Sequence, residues 1–163
     1  MTAYIGWLIE DKLLYQIGVG VVSSVEYEKT GTTVIALTES IVTDAPAHII
    51  IDMARVTKMP PLSSMNLPVD ATSYSSSWVF LVHMNNPILK MLTAIAVQMM
   101  KMSLKVAKDY PTAYRSLQRL DTSLYSQPMP SLEDIHWIMC IEGDTITPIT
   151  TLPEGVLHGS LSS

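Results

Sequence analysis

The run HIIIDMARVTKMPPLSS, from His48 to Ser64, decides how the rest of the chain is read. It opens with a continuous apolar stretch, the pattern of a strand buried on both faces of a sheet. A single carboxylate, Asp52, follows, and the chain then reaches Pro60-Pro61 with Ser63 and Ser64 close behind. The strand is therefore expected to stop on Asp52 and deliver the chain to a rim loop, residues 57–67. Two prolines stiffen that loop and bias the residues before them toward extended geometry. Open α/β sheets place their ligand crevices at such strand ends. Asp52 is thus a candidate site residue, and its alternative role is to bond backbone N–H groups in the turn.

A second buried run, SSSWVFLVHM, ends at Met84 and is followed by Asn85, Asn86 and Pro87. The expectation is that 49–53 and 79–84 lie side by side at the centre of one sheet. Asn86 as cap and Pro87 as first residue suit the start of a long helix. Upstream, YIGWLIEDKLLYQIGVG reads as two short strands around Glu10-Asp11-Lys12, supplying an antiparallel edge. The segment from Ser23 to Pro46 changes to near-helical spacing, with Val25, Leu37 and Ile41 aligned and Val34 beside them. Ser23 or Ser24 caps it, and Glu26 and Glu28 suit the positive end of its dipole. PPLSSMNLPVDATSY holds at most a short helix, because Pro68 interrupts it. YPTAYRSLQRLDTSL reads as a helix begun by Pro111, with Ala113, Leu117 and Leu120 inward.

Residues 126–163 read as a C-terminal extension. IHWIMCIEGDTITPIT suggests a hairpin over 135–149 turning at Glu142-Gly143-Asp144, and 150–163 reads as a loose tail. Charge is asymmetric: residues 87–119 hold six basic groups and one acidic group, whereas 120–163 hold six acidic groups and no Lys or Arg. The extension is therefore a candidate to dock on the surface carrying Lys90, Lys101, Arg115 and Arg119.

At 163 residues the chain suits one domain, here 1–125, plus that appendage. Nearly half the residues are hydrophobic (48%), enough for a full core. The net charge of −5 argues against nucleic-acid binding, which needs clustered Lys and Arg. Cys140 is the only cysteine, so no intrachain disulfide forms, and a cytoplasmic setting is expected. MTAYIGWLIEDK lacks the basic region of a signal peptide. In PILKMLTAIAVQMMKMSLKV, Lys90, Gln98, Lys101 and Lys105 interrupt the apolar run, so no membrane span is expected.

No catalytic pattern is present: there is no helical zinc spacing, phosphate loop, G-x-S-x-G elbow or dinucleotide fingerprint. His48 and His83 flank buried strands and are candidates to lie close in space. No nucleophile, base and orienter can be assembled, so a non-enzymatic protein with no metal or cofactor is expected. Eleven methionines are many for this length. Met59, Met65 and Met84 fall near the strand ends and Met91 on the long helix, where flexible thioethers suit a core, an adaptable surface or an apolar cleft.

The order of elements, together with Asp52 and Val56 in the opening stretch, resembles the STAS domains of bacterial anti-anti-sigma factors and sulfate transporters. The similarity covers about residues 4–125. It is nearest to divergent members with a tryptophan and an aspartate near the start and an Asn-Pro helix start, here Trp7 and Asn86-Pro87. The resemblance implies an α/β fold, a mostly parallel sheet flanked by helices in the order β-β-α-β-(short α)-β-α-β-α. It also decides a conflict: Lys90, Gln98, Lys101, Lys105 and Lys108 trace one helical stripe, yet SLKVA reads equally as a strand, and the family has a short strand there. It implies a protein-interaction role through loop 57–67 and the adjacent helix, with a protein partner or a second copy in a homodimer. Asp52, Met59, Leu62, Met65, Met84, Asn85 and Met91 are the contact candidates. The family's phosphorylated serine has no counterpart in register, since Pro60, Pro61 and Leu62 stand in its place. Ser63 and Ser64 are shifted phosphoacceptor candidates. The alternative function is an apolar, lipid-like ligand held in a cleft lined by the methionines, as in the related CRAL-TRIO domains.

Overall fold

A computed structural model describes residues 1–41, 46–61, 64, 77–84 and 103–157. These form an α/β fold around one seven-stranded sheet, with two α-helices among the described residues. The strands are β1 (Thr2–Ile9), β2 (Leu13–Val21), β3 (His48–Lys58), β4 (Trp78–Val82), β5 (Ser103–Val106), β6 (His136–Glu142) and β7 (Thr145–Pro148). The helices are α1 (Ser24–Glu39) and α2 (Tyr110–Leu120). The spatial order is β5-β4-β3-β2-β1-β6-β7.

Half of this sheet is parallel. β2–β3, β3–β4 and β4–β5 pair parallel, whereas β1–β2, β1–β6 and β6–β7 pair antiparallel. The sheet is therefore mixed rather than mostly parallel. The opening hairpin is not an edge either, because β6 takes the outer side of β1. The hairpin of the extension turns at Gly143-Asp144, as expected, and continues the same sheet.

The two central runs do pair, with Ile49 opposite Val79 and Asp52 opposite Val82. β3, however, does not stop on Asp52. It runs on to Lys58 because β2 continues beside it, with Val19 opposite Arg55 and Val21 opposite Lys58. SLKVA is β5, with Leu81 opposite Val106. Most of 60–74, where at most a short helix is expected, and residues 85–102, where the long helix is expected, lie outside the described residues.

Alternation along the strands makes two apolar layers. Ala3, Ile5, Trp7, Leu14, Ile49, Met53, Val79, Leu81 and Ile141 face α1, which contributes Val34. Tyr4, Leu13, Tyr15, Ile17, Ile50, Phe80 and Val82 face α2, which contributes Tyr110, Ala113, Tyr114 and Leu117. Leu120 is exposed rather than inward, because Tyr110 and Tyr114 supply the buried stripe one turn earlier. Val25 is also exposed, whereas its neighbour Glu26 is buried.

Ser23 caps α1 in a reciprocal box with Glu26. Asp109 caps α2 by accepting from the Thr112 N–H, and Pro111 sits in its first turn. The segment after β7 is not loose along its described length. Ile149, Leu152, Val156 and Leu157 pack against the α2-side layer, and Arg55 donates to the Gly155 carbonyl. Lys90 and Lys101 lie outside the described residues, and no ion pair among the described residues joins Arg115 or Arg119 to this segment.

Candidate functional site

Asp52 projects on the α2 side, two residues beyond Ile50, midway along β3 and opposite Val82, the last residue of β4. Three donors converge on its carboxylate. The Tyr15 hydroxyl donates to Oδ2 at 3.0 Å, and the Ala54 N–H donates to Oδ1 at 2.9 Å. His83 Nδ1 lies 3.1 Å from the same Oδ1. A carboxylate only accepts, so a neutral imidazole here carries its proton on Nδ1 and its lone pair on Nε2. Nε2 has no hydrogen-bond partner among the described residues.

Each donor is placed by the sheet. Tyr15 sits on β2 opposite Ile50, which aims its ring along the α2 face toward the next residue of that face, Asp52. Its ring meets Tyr110 edge-on, with centroids 5.9 Å apart. Burial, then the charge and hydrogen bond of Asp52, push the Tyr15 phenol far above its ordinary range, so it stays a donor. His83 leaves β4 in the left-handed region at φ 56°, a costly conformation for a residue with a Cβ. Its N–H bonds to the Lys108 carbonyl at 3.3 Å, which ties the rim to the start of α2. There, bonds from Thr112 hold the Asp109 carboxyl below its usual range, with Lys108 and His83 adding to the effect.

The other histidine is elsewhere. His48 begins β3 and lies at the opposite end of the parallel strands, so His48 and His83 are not brought together. It is buried, its Nδ1 accepts the Trp78 N–H at 3.1 Å, and its Nε2 meets Asp121 Oδ2 at 2.9 Å.

The sequence candidates divide. Asp52 is the centre of the cluster. Met84 is buried and Met59 is half-buried, but both pack against the α1-side layer, on the opposite face from the Asp52 carboxylate. Ser64 is exposed, and its hydroxyl and N–H both donate to the Pro61 carbonyl, at 2.8 and 2.9 Å, as a local turn. Leu62, Ser63, Met65, Asn85 and Met91 lie outside the described residues. Tyr15 and the pairing of His83 with Asp52 were missed. The usable signal was register: Asp52 pairs with Val82, the last residue of β4, so the next residue, His83, falls beside it.

Among the described residues no group of three His, Cys, Asp or Glu side chains gathers as a metal site. None of the described helices is long and apolar enough to cross a membrane. No protein-family model matches the chain, and no curated protein matches its sequence.

Proposed function

We propose that the chain is a divergent STAS-like, non-catalytic module that binds a regulatory protein partner, or a second copy of itself, through residues 57–67 and the helix beside them. The observation that carries this reading is the unequal length of the central strands. β4 pairs with β3 only over Ile49–Asp52, yet β3 continues to Lys58. From Met53 onward, no described strand occupies that side of β3. Ala54, Thr57 and Lys58 are exposed, and Pro60-Pro61 follow, Pro60 buried and Pro61 exposed. A strand length that no described strand pairs on that side offers backbone donors and acceptors to an extended partner segment.

Sizing and co-purification test the reading. Leu62→Asp and Met65→Asp each place a carboxylate in the loop, and both variants should fold while losing the associated species. Folded variants that associate like wild type would remove this surface from consideration.

One observation favours a second reading, an apolar ligand. Met59 and Met84 share the α1-side layer with Met53 and Met139. Such a thioether-rich layer adapts readily to an apolar guest. Native mass spectrometry after gentle purification should then show a co-purifying small molecule, and a bare protein mass would count against it.

A further inference from the structure

We propose that His83 is a phosphoryl-accepting nucleophile that attacks through Nε2. This does not depend on the interaction reading above. It rests on the carboxylate, imidazole and phenol assembled where β4 ends beside β3. Asp52 holds the imidazole by Nδ1 at 3.1 Å and is itself fixed by the Tyr15 hydroxyl and the Ala54 N–H. A ring held this way keeps its free electron pair on Nε2, and a carboxylate on the far nitrogen stabilises the positive charge that attack develops. The left-handed backbone at His83 and its bond to Lys108 fix where the ring stands.

Phosphoryl chemistry is favoured by what adjoins His83. The Lys108 carbonyl accepts the His83 N–H and α2 begins two residues later, so a lysine and a positive dipole end adjoin the His83 backbone. Among the described residues, Asp109 is an anionic neighbour whose carboxylate caps α2 by accepting from the Thr112 N–H. The co-reactant class is a small activated phosphoryl donor, a phosphoramidate or an acyl phosphate. With phosphoramidate, the Nε2 lone pair forms the new P–N bond. The donor's P–N bond breaks and its electron pair leaves with neutral ammonia. The product is a phosphorylated imidazolium whose Nδ1–H stays on Asp52.

His136 provides a control within the same molecule. It also faces a carboxylate, Glu10, but at 3.4 Å and in the open. Its side chain is 65% exposed, against 28% for His83. Access alone would make His136 react first, whereas orientation would make His83 react first. The full chain is treated with potassium phosphoramidate, and acid-labile phosphate is mapped by peptide mass against time. His83 should label faster than His136, and His83→Gln should lose that site alone. Asp52→Asn should slow labelling at His83 by about tenfold or more while leaving the His136 rate unchanged. Labelling of His136 ahead of His83, or no phosphate on His83, overturns the proposal. Equal His83 rates in wild type and a folded Asp52→Asn variant would overturn it as well. Should Asp52→Asn not fold, the order of labelling in the wild-type chain still decides.

Discussion

His48 shows how one side chain can be committed on every polar atom. Its Nδ1 accepts the Trp78 N–H, which is possible only if that nitrogen carries no proton. Its Nε2–H is then left for Asp121. Burial lowers the affinity of His48 for a second proton, and the hydrogen bond and charge of Asp121 offset only part of that. The sign follows directly. A histidine whose folded value is depressed contributes stability that is present above its unfolded value, about 6.5, and lost as pH falls through the folded value. Urea unfolding should therefore show a lower midpoint at pH 5.5 than at pH 7.5. In His48→Gln the difference between the two pH values should shrink, at a constant cost of about 1–3 kcal/mol for the disturbed bonds. An unchanged pH difference in that variant would assign the effect to another group.

At the scale of single elements, α1 depends on its first turn. Ser23 and Glu26 close the reciprocal box, and Glu26 Oε1 also accepts from the Met1 amino group at 2.7 Å and the Gly143 N–H at 3.1 Å. Burial raises the Glu26 carboxyl, but the bonds from the amino terminus, Ser23 and Gly143 outweigh it and bring it down to about 2. One carboxylate thus joins the start of β1, the start of α1 and the β6–β7 turn. Ser23→Ala should cost about 1 kcal/mol, read as a lower thermal midpoint. Glu26→Gln should cost more, because it also weakens the tie to the amino terminus and to Gly143. A Glu26→Gln variant no less stable than Ser23→Ala would contradict that ranking. The capping serine was legible in the sequence because caps are written in local chemistry. So were the buried runs of β3 and β4 and the Gly143-Asp144 turn. The length of β3 was not. Asp52 looks like a stop, but strand length is set by the neighbour, and Val19–Val21 on β2 carry β3 on to Lys58. Leu120 misled for a related reason: it fits the apolar period of α2, yet it is the last residue of the helix and is exposed.

At the scale of the whole molecule, residues 126–163 are wall rather than ornament. Ile135, Trp137 and Ile141 are buried against the sheet, and β6 pairs with β1 from Thr2–Glu142 to Trp7–His136. Deleting 126–163 should therefore abolish the cooperative thermal transition and leave an aggregating product, checked by calorimetry and light scattering. A monomeric shortened chain with an intact transition would show that 1–125 folds alone. The destination of that hairpin was not readable in the sequence, because local periodicity says that a strand exists and not whom it joins. The same reason hid the rim cluster, whose members are Tyr15 on β2, Asp52 on β3 and His83 just after β4.

The pairing of β1 with β6 also has a consequence in time. Ala3 lies opposite Ile141, so one of the two partners of β1 is synthesised long after β1 itself. As the chain leaves the ribosome, β2 can zip onto one side of β1 almost at once, while the other side waits until β6 emerges. Contacts that span such separations form slowly. Throughout that delay the nascent protein carries an open apolar strand, which makes this interval the one in which chaperones, or a neighbouring nascent chain, compete for it.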